Sequence, residues 1–299
     1  MKTEIERLLE TRQKDFDTHL ATLGKTRVCN SEIDASVRLH FVLTDASGEP
    51  RVRELASMLV GYITKYCFDA TKRKDLDEVD RNLLFVEARD LFRKAGKSGQ
   101  AGELLIYFLL EAVLKAPQAL RKMVITTNPK EERKGSDGMH FSWNQDLEIL
   151  ELYFAESKVW NDFGAALSDA LASVEKFYND GLKQHELNLF SSQFKILDDQ
   201  LQKKILSYIK GENVTKTRTT HACLVGFDWN EYLCLGDERR KDFIREFEER
   251  YSSWADDAVA KVETKLAAFK LRQLRFEFFF LPFKSVEEFR TQFEAALRG

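Results

Sequence analysis

The sequence is poor in the residues that punctuate a chain: four prolines and fourteen glycines in 299 residues. So few breakers favour helices joined by short loops. Its four cysteines, Cys29, Cys67, Cys223 and Cys234, are scattered, with no Cys-x-x-Cys pair and no Cys/His cluster. That argues against a zinc site and a disulfide framework, and reduced cytosolic thiols are expected. No apolar run is long enough to cross a bilayer, so no membrane role is expected. The start, Met1-Lys-Thr-Glu-Ile-Glu-Arg, is a charged amphipathic helix opening and not a signal peptide. A cytoplasmic location follows as an expectation. Charge of one sign is also missing: 46 Lys and Arg face 49 Asp and Glu, net -3. There is no global basic field of the kind that announces nucleic acid. Apolar residues make up 43%, enough for a real core in one large domain or two small ones.

The stretch richest in chemistry runs from Gly135-Ser-Asp137-Gly-Met-His140 to Leu147-Glu-Ile-Leu-Glu-Leu-Tyr-Phe-Ala-Glu156-Ser-Lys158. Its second part reads as a buried strand. Side chains alternate on a strand, so Leu150, Leu152, Phe154, Glu156 and Lys158 share one face. A turn at Asn144-Gln145-Asp146 separates it from a strand that starts at Asp137. A hairpin there brings Asp137 back beside Glu156, which puts two carboxylates and one ammonium at one hairpin end. This is the arrangement of Asp…Glu-x-Lys metal-dependent nucleases. Two carboxylates hold a hard cation through oxygen, Mg²⁺ first and Mn²⁺ as the alternative. Such a metal polarises a phosphoryl oxygen and lowers the pKa of bound water, and a neighbouring lysine orients that water or stabilises charge. Acid-x-Lys also occurs at Glu132-x-Lys134 and Glu263-x-Lys265, but only Glu156-x-Lys158 ends an apolar strand with an Asp upstream. The bland alternative is a solvated salt bridge at a strand end.

Along the chain, residues 3–22 read as a helix, 36–43 as a strand, 52–68 as a helix and 83–94 as another. Residues 69–80 are densely charged and read as a solvated connector. Ala95-Gly-Lys-Ser-Gly99 breaks the pattern and marks a domain boundary: residues 1–95 form an α-rich N-terminal accessory region, 96–299 the second domain. Lys97-Ser98 lacks the full phosphate-loop pattern and a preceding strand, and is set aside. From residue 98 the order is helix 102–115, strand 120–126, strand 137–143, strand 148–158 and helix 162–178. Helices at 182–193 and 198–210, strand 221–227, a long charged helix or pair of helices over 237–271, strand 275–281 and a final helix capped by Ser285 and Glu288 follow. This is an α/β chain with the order of a restriction-endonuclease-like (PD-(D/E)xK) core carrying a helical insertion. In that pattern the first helix often brings an acid to the site. Glu103, at its first turn, fits, or it is a helix-start acid favoured by the macrodipole.

Several other residues carry two readings. His140 either assists at the site or is a structural imidazole bonded to a loop. Tyr153 alternates to the other face and reads as core. Glu148 and Glu151 read as edge or solvent charges. Phe276, Phe278 and Phe280 share a face and read as core rather than as base-stacking rings. Lys130, Arg133 and Lys134 precede Asp137 and either meet phosphate or lie in a solvated loop.

Four blocks together resemble the HamA family, the nuclease subunit of the bacterial Hachiman anti-phage system. They are Ala101-Gly-Glu-Leu-Leu105, Lys134-Gly-Ser-Asp-Gly-Met-His140, Leu152-Tyr-Phe-Ala-Glu-Ser-Lys158 and Phe278-Phe-Phe-Leu-Pro-Phe283. The resemblance covers residues 98–299 and implies a metal-dependent DNase acting on DNA, restrained by a helicase subunit of the HamB type and released on infection. On this reading Asp137 and Glu156 bind the metal, Lys158 positions water or charge, and Glu103 assists. The rivals are an inactive domain of the same fold that senses DNA or acts as a scaffold, and a helical adaptor with no nucleic-acid role.

Overall fold

The apolar run that ends in Glu156-Ser-Lys158 is a strand, β5 (Ile149–Val159), and lies inside a seven-stranded sheet. The computed structural model describes residues 1–28, 32–95, 99–121, 135–196, 198–210, 217–234 and 240–299. The other strands are β1 (Leu20–Arg27), β2 (Asp34–Val42), β3 (Gln118–Leu120), β4 (Gly138–Asn144), β6 (Thr217–Asp228) and β7 (Arg275–Phe283). Their order is β1-β2-β7-β6-β5-β4-β3. The central four, β2, β7, β6 and β5, run parallel. β1 closes one edge antiparallel to β2, and β4 and β3 close the other as antiparallel strands.

Helices cover both faces, as a mostly parallel sheet with apolar strands requires. One face carries α3 (Val52–Val60), α4 (Ile63–Cys67), α5 (Glu78–Ala95), α6 (Gln100–Leu114) and the last helix, which enclose Tyr153, Ala155, Leu224 and Phe279. The other carries α7 (Phe163–Asn179), α8 (Leu182–Gln193), α9 (Asp199–Ile209) and α10 (Arg240–Ala268). They cover Leu150, Phe154, Cys223 and the stacked row Phe276, Phe278 and Phe280, all core as expected. The final helix, α11 (Val286–Arg298), is capped as expected: the Ser285 hydroxyl accepts from the Glu288 N–H at 3.1 Å. Cys67 and Cys223 are thiols buried in the core. Among the described residues no helix is long and apolar enough to cross a membrane.

The N-terminal stretch differs from expectation. Residues 3–22 are not one helix: α1 (Lys2–Glu6) and α2 (Gln13–His19) end where β1 begins. β1 pairs with β2 from Leu20↔Val42 to Arg27↔Ser36, with one register shift between Thr22 and Gly24. It satisfies backbone groups that β2 would otherwise leave open at the sheet edge. Residues 1–95 thus supply two strands to the same sheet as the rest of the chain. The charged segment after α4 is anchored rather than simply solvated. Arg73 pairs with Glu10, and the Lys72 ammonium lies 4.0 Å from the centroid of the Phe68 ring. Of the strand expected over 120–126 only Leu120 lies in a strand, as the last residue of β3; Arg121 is outside it, and residues 122–126 lie outside the described residues.

Candidate active site

β4 and β5 form the hairpin, with Gly138 opposite Ala155 and Met139 opposite Phe154. One residue before β4, the Asp137 N–H donates to the Ala155 carbonyl at 2.8 Å, so the pairing reaches Asp137. Its carboxylate turns onto β5. Oδ2 accepts the Ser157 backbone N–H and the Ser157 hydroxyl, both at 2.7 Å. The side chain is therefore fixed by the middle residue of Glu-x-Lys. On the α7 face of the same strand, Lys158 Nζ stands 2.9 Å from Glu156 Oε1.

Electrostatics bind the three residues into one unit. Glu156 is buried, and burial together with the nearby Asp137 charge raises its carboxyl to about 7. Lys158 and a hydrogen bond from Ser173 pull the other way without cancelling these effects. Burial works against the Lys158 ammonium, yet Glu156, Asp137 and Asp169 outweigh it and hold its pKa above the ordinary lysine value. Asp169 and Ser173 lie one turn apart on α7, so that helix is the back wall of the site. Two carboxylates against one ammonium leave a local excess of negative charge before Asp169 is counted. A hard divalent cation offsets such an excess, and Mg²⁺ is commonly held by one or two carboxylates while keeping several waters. The oxygen-only donor set fits that ion. Among the described residues no group of three or more His, Cys, Asp or Glu is placed to hold a metal, so this is not an all-protein cage.

Glu103 is placed differently. Its helix, α6, packs on the reverse of β5: a Cβ on Gly102 would meet Ser157 Oγ at 3.1 Å and Val159 Cγ2 at 3.1 Å. Ser157 and Val159 alternate away from Glu156 and Lys158. Glu103 accepts a hydrogen bond from Tyr66 Oη at 3.4 Å. α6 thus touches the site through Gly102 against Ser157, the residue that holds Asp137.

His140 is the structural imidazole. It is buried, its Nδ1–H donates to the Ala116 carbonyl at 2.8 Å, and burial pushes its pKa down to about 4. Tyr153 is core, with its hydroxyl donating to Glu151 at 2.5 Å. Glu151 corrects the expectation of a solvent charge. It is buried and takes Arg218 from β6, Asn144 at 2.8 Å and Tyr153. An acid inside an apolar strand is tolerated because the adjacent strand supplies its cation. Glu263 and Lys265 lie on α10, while Glu132, Lys130, Arg133 and Lys134 lie outside the described residues.

Sequence reasoning missed Ser157, Asp169 and Ser173. Ser157 had a local signal, as the polar residue between Glu156 and Lys158. The two α7 residues are one turn apart but had no visible tie to β5.

No curated protein matches the chain. A family model, HamA, matches residues 17–297, extending through β1 and β2 to the last turn of α11. The chain belongs to the HamA family, and so to the proteins of Hachiman defence.

Proposed function

We propose that the chain is a metal-dependent DNA nuclease with a PD-(D/E)xK core, acting in anti-phage defence under restraint by a helicase partner. The observation that carries this reading is the convergence of Asp137, Glu156 and Lys158 at one hairpin end, with Asp137 locked by Ser157. Asp137 and Glu156 would hold Mg²⁺. When bound, the ion polarises a phosphoryl oxygen and lowers the pKa of a bound water. The Lys158 ammonium, kept protonated by Glu156, Asp137 and Asp169, donates to the attacking water or to the charge that builds on the phosphorane. With a cation held there, Glu156 would be ionised and its proton released to solvent. Ser157 keeps the Asp137 carboxylate aimed through both steps.

The test is DNA cleavage by the purified chain with its helicase partner, with and without Mg²⁺, for parent and Lys158→Ala. Lys158 lies at the polar end of β5, so its truncation opens no core cavity. Removal of one positioned charge lowers the rate by about two to three orders of magnitude, while the unfolding transition stays cooperative. Full cleavage by Lys158→Ala refutes the assignment. No metal-dependent cleavage by the parent complex favours instead an inactive scaffold of the same fold.

A further inference from the structure

Six large apolar side chains stand exposed among the described residues, and five are aliphatic: Val79, Leu83, Val86, Leu147 and Ile244. The sixth is Trp160, with 38% of its surface in solvent. Its position is specific. It follows β5 directly, two residues beyond Lys158, and its N–H donates to the Gly226 carbonyl at 3.0 Å, continuing the ladder. A strand advances about 3.3 Å per residue, so its Cα lies within about 7 Å of that of Lys158.

The ring is braced. Arg290 of α11 stacks on it, with the guanidinium carbon 5.4 Å from the ring centroid. Arg290 is itself pinned: Nη2 donates to the Val159 carbonyl at 2.6 Å and Nη1 lies 3.6 Å from Glu287. Its Nε is buried without a hydrogen-bond partner. A half-buried arginine is thus held at a strand end with its buried Nε left unpaired, and what it supports is an indole left partly in water. An indole serving only to close the core would be covered. A braced, half-exposed aromatic at the strand end that carries a phosphodiester-cleaving site is an element on which an unpaired nucleobase stacks, and a neighbouring cation strengthens it for a polyanion.

We propose that Trp160, braced by Arg290, is the platform on which a base of single-stranded DNA stacks next to the Asp137–Glu156–Lys158 site. The inference rests on the nuclease reading and deepens it: the strand entering the site is unpaired at the nucleotide beside the scissile bond. Lys158, at the end of β5 on the α7 side, and Trp160, just past that end and held from the α11 side, then address a phosphate and a base of one strand.

The experiment measures binding apart from cleavage. Fluorescence anisotropy of a labelled oligothymidine is followed at low ionic strength in EDTA, with the full chain as parent, Trp160→Phe, Trp160→Leu and Trp160→Ala. Thermal melts run alongside. The leucine variant keeps apolar bulk but has no π face, which separates stacking from packing. Loss of about tenfold or more in affinity is expected for Leu and Ala, the size of one base stacked on a ring, with most of it kept by Phe. Parent-like affinity of Trp160→Leu overturns the proposal, as does a parent chain that does not bind the oligonucleotide. Because EDTA removes cleavage from the readout, failure of the nuclease reading appears separately, as absent hydrolysis when Mg²⁺ is restored.

Discussion

Ser157 gives both of its donors, the backbone N–H and the hydroxyl, to one oxygen of Asp137, each at 2.7 Å. The middle residue of Glu-x-Lys is therefore the clamp of the upstream aspartate. Ser157→Ala removes one of the two bonds and leaves the other. A hydrogen bond to a charged group is worth about 1.5–3 kcal/mol. Cleavage should drop by about tenfold or more, and the Mg²⁺ concentration for half activity should rise. Titrating the metal against rate checks this, and an unchanged metal response would detach Ser157 from the site.

Gly102 reports on the same clamp from the other side. A methyl there meets Ser157 Oγ and Val159 Cγ2 at 3.1 Å each, closer than packed atoms sit without giving way. Helix propensity alone favours alanine over glycine by about 1 kcal/mol, so the two effects oppose each other. Contact should win, because α6 is packed between the sheet and α3 and cannot back away freely. Gly102→Ala is expected to lower both the thermal midpoint and cleavage. A rise in midpoint with full activity would show that the helix shifts without cost.

Glu156 couples metal, proton and stability. Burial and Asp137 raise its carboxyl from 4.5 to about 7. The folded chain thus holds a proton that the unfolded chain has released, so this group's contribution to stability is present at low pH and lost as pH rises from 4.5 through about 7. A divalent cation at Asp137 and Glu156 replaces that proton. Mg²⁺ should therefore raise the melting temperature more at pH 8 than at pH 6. At limiting Mg²⁺, cleavage should climb over the same interval, and saturating metal should move the midpoint to lower pH. Equal thermal shifts at both pH values would remove Glu156 from the metal site.

Much of this was legible because it is local. The alternation that puts Glu156 and Lys158 on one face, and the short turn that returns Asp137 to them, are properties of one hairpin. What was not legible depends on partners far along the chain. Glu151 looked like a solvent charge because its cation, Arg218, comes from β6, 67 residues on. β1 looked like the end of a helix because Leu20-Ala-Thr-Leu-Gly-Lys-Thr-Arg27 is mostly exposed and carries no clean alternation; its pairing with β2 makes it a strand. His140 is open to two roles until the Ala116 carbonyl, brought close by β3, accepts a hydrogen bond from its Nδ1–H. Asp169 and Ser173 reach the site only when α7 packs back across β5.

His221 offers a test of acid stability away from the site. It is buried among Phe154, Phe177 and Phe276, with Nε2 3.1 Å from Tyr178 Oη. Burial, helped by the Lys183 charge, pushes its pKa from 6.5 down to about 3. The unfolded chain binds the extra proton in that window, so stability is full above pH 6.5 and is lost as pH falls toward 3. One such group changes stability by ~1.4 kcal/mol per pH unit within the window. His221→Phe should fit the aromatic surroundings and flatten the acid limb by about one proton, read from denaturant midpoints between pH 4 and 7. An unchanged slope would mean that His221 does not titrate on unfolding.

The last prediction concerns duplex DNA. Non-specific affinity for a duplex grows with each phosphate neutralised by Lys or Arg, and the salt slope counts those contacts. This chain has a net charge of -3, and several of its arginines are already engaged inside it: Arg38 with Glu277, Arg73 with Glu10, Arg218 with Glu151, and Arg250 with Glu231 and Glu246. Freeing one for a phosphate means breaking an existing pair, so little is gained. The isolated chain should therefore bind duplex DNA weakly, with a shallow dependence of log K on log salt. If a helicase partner brings the DNA, the complex should bind tightly and with a steeper slope, the added steepness counting the partner's phosphate contacts. Trp160 does not alter this expectation, because stacking needs an unpaired base and contributes little to the salt slope. Affinity measured from 50 to 200 mM salt, for the chain alone and for the complex, decides the matter. Tight, steeply salt-dependent duplex binding by the isolated chain would place the DNA-tracking surface on this subunit and leave the partner only its restraining role.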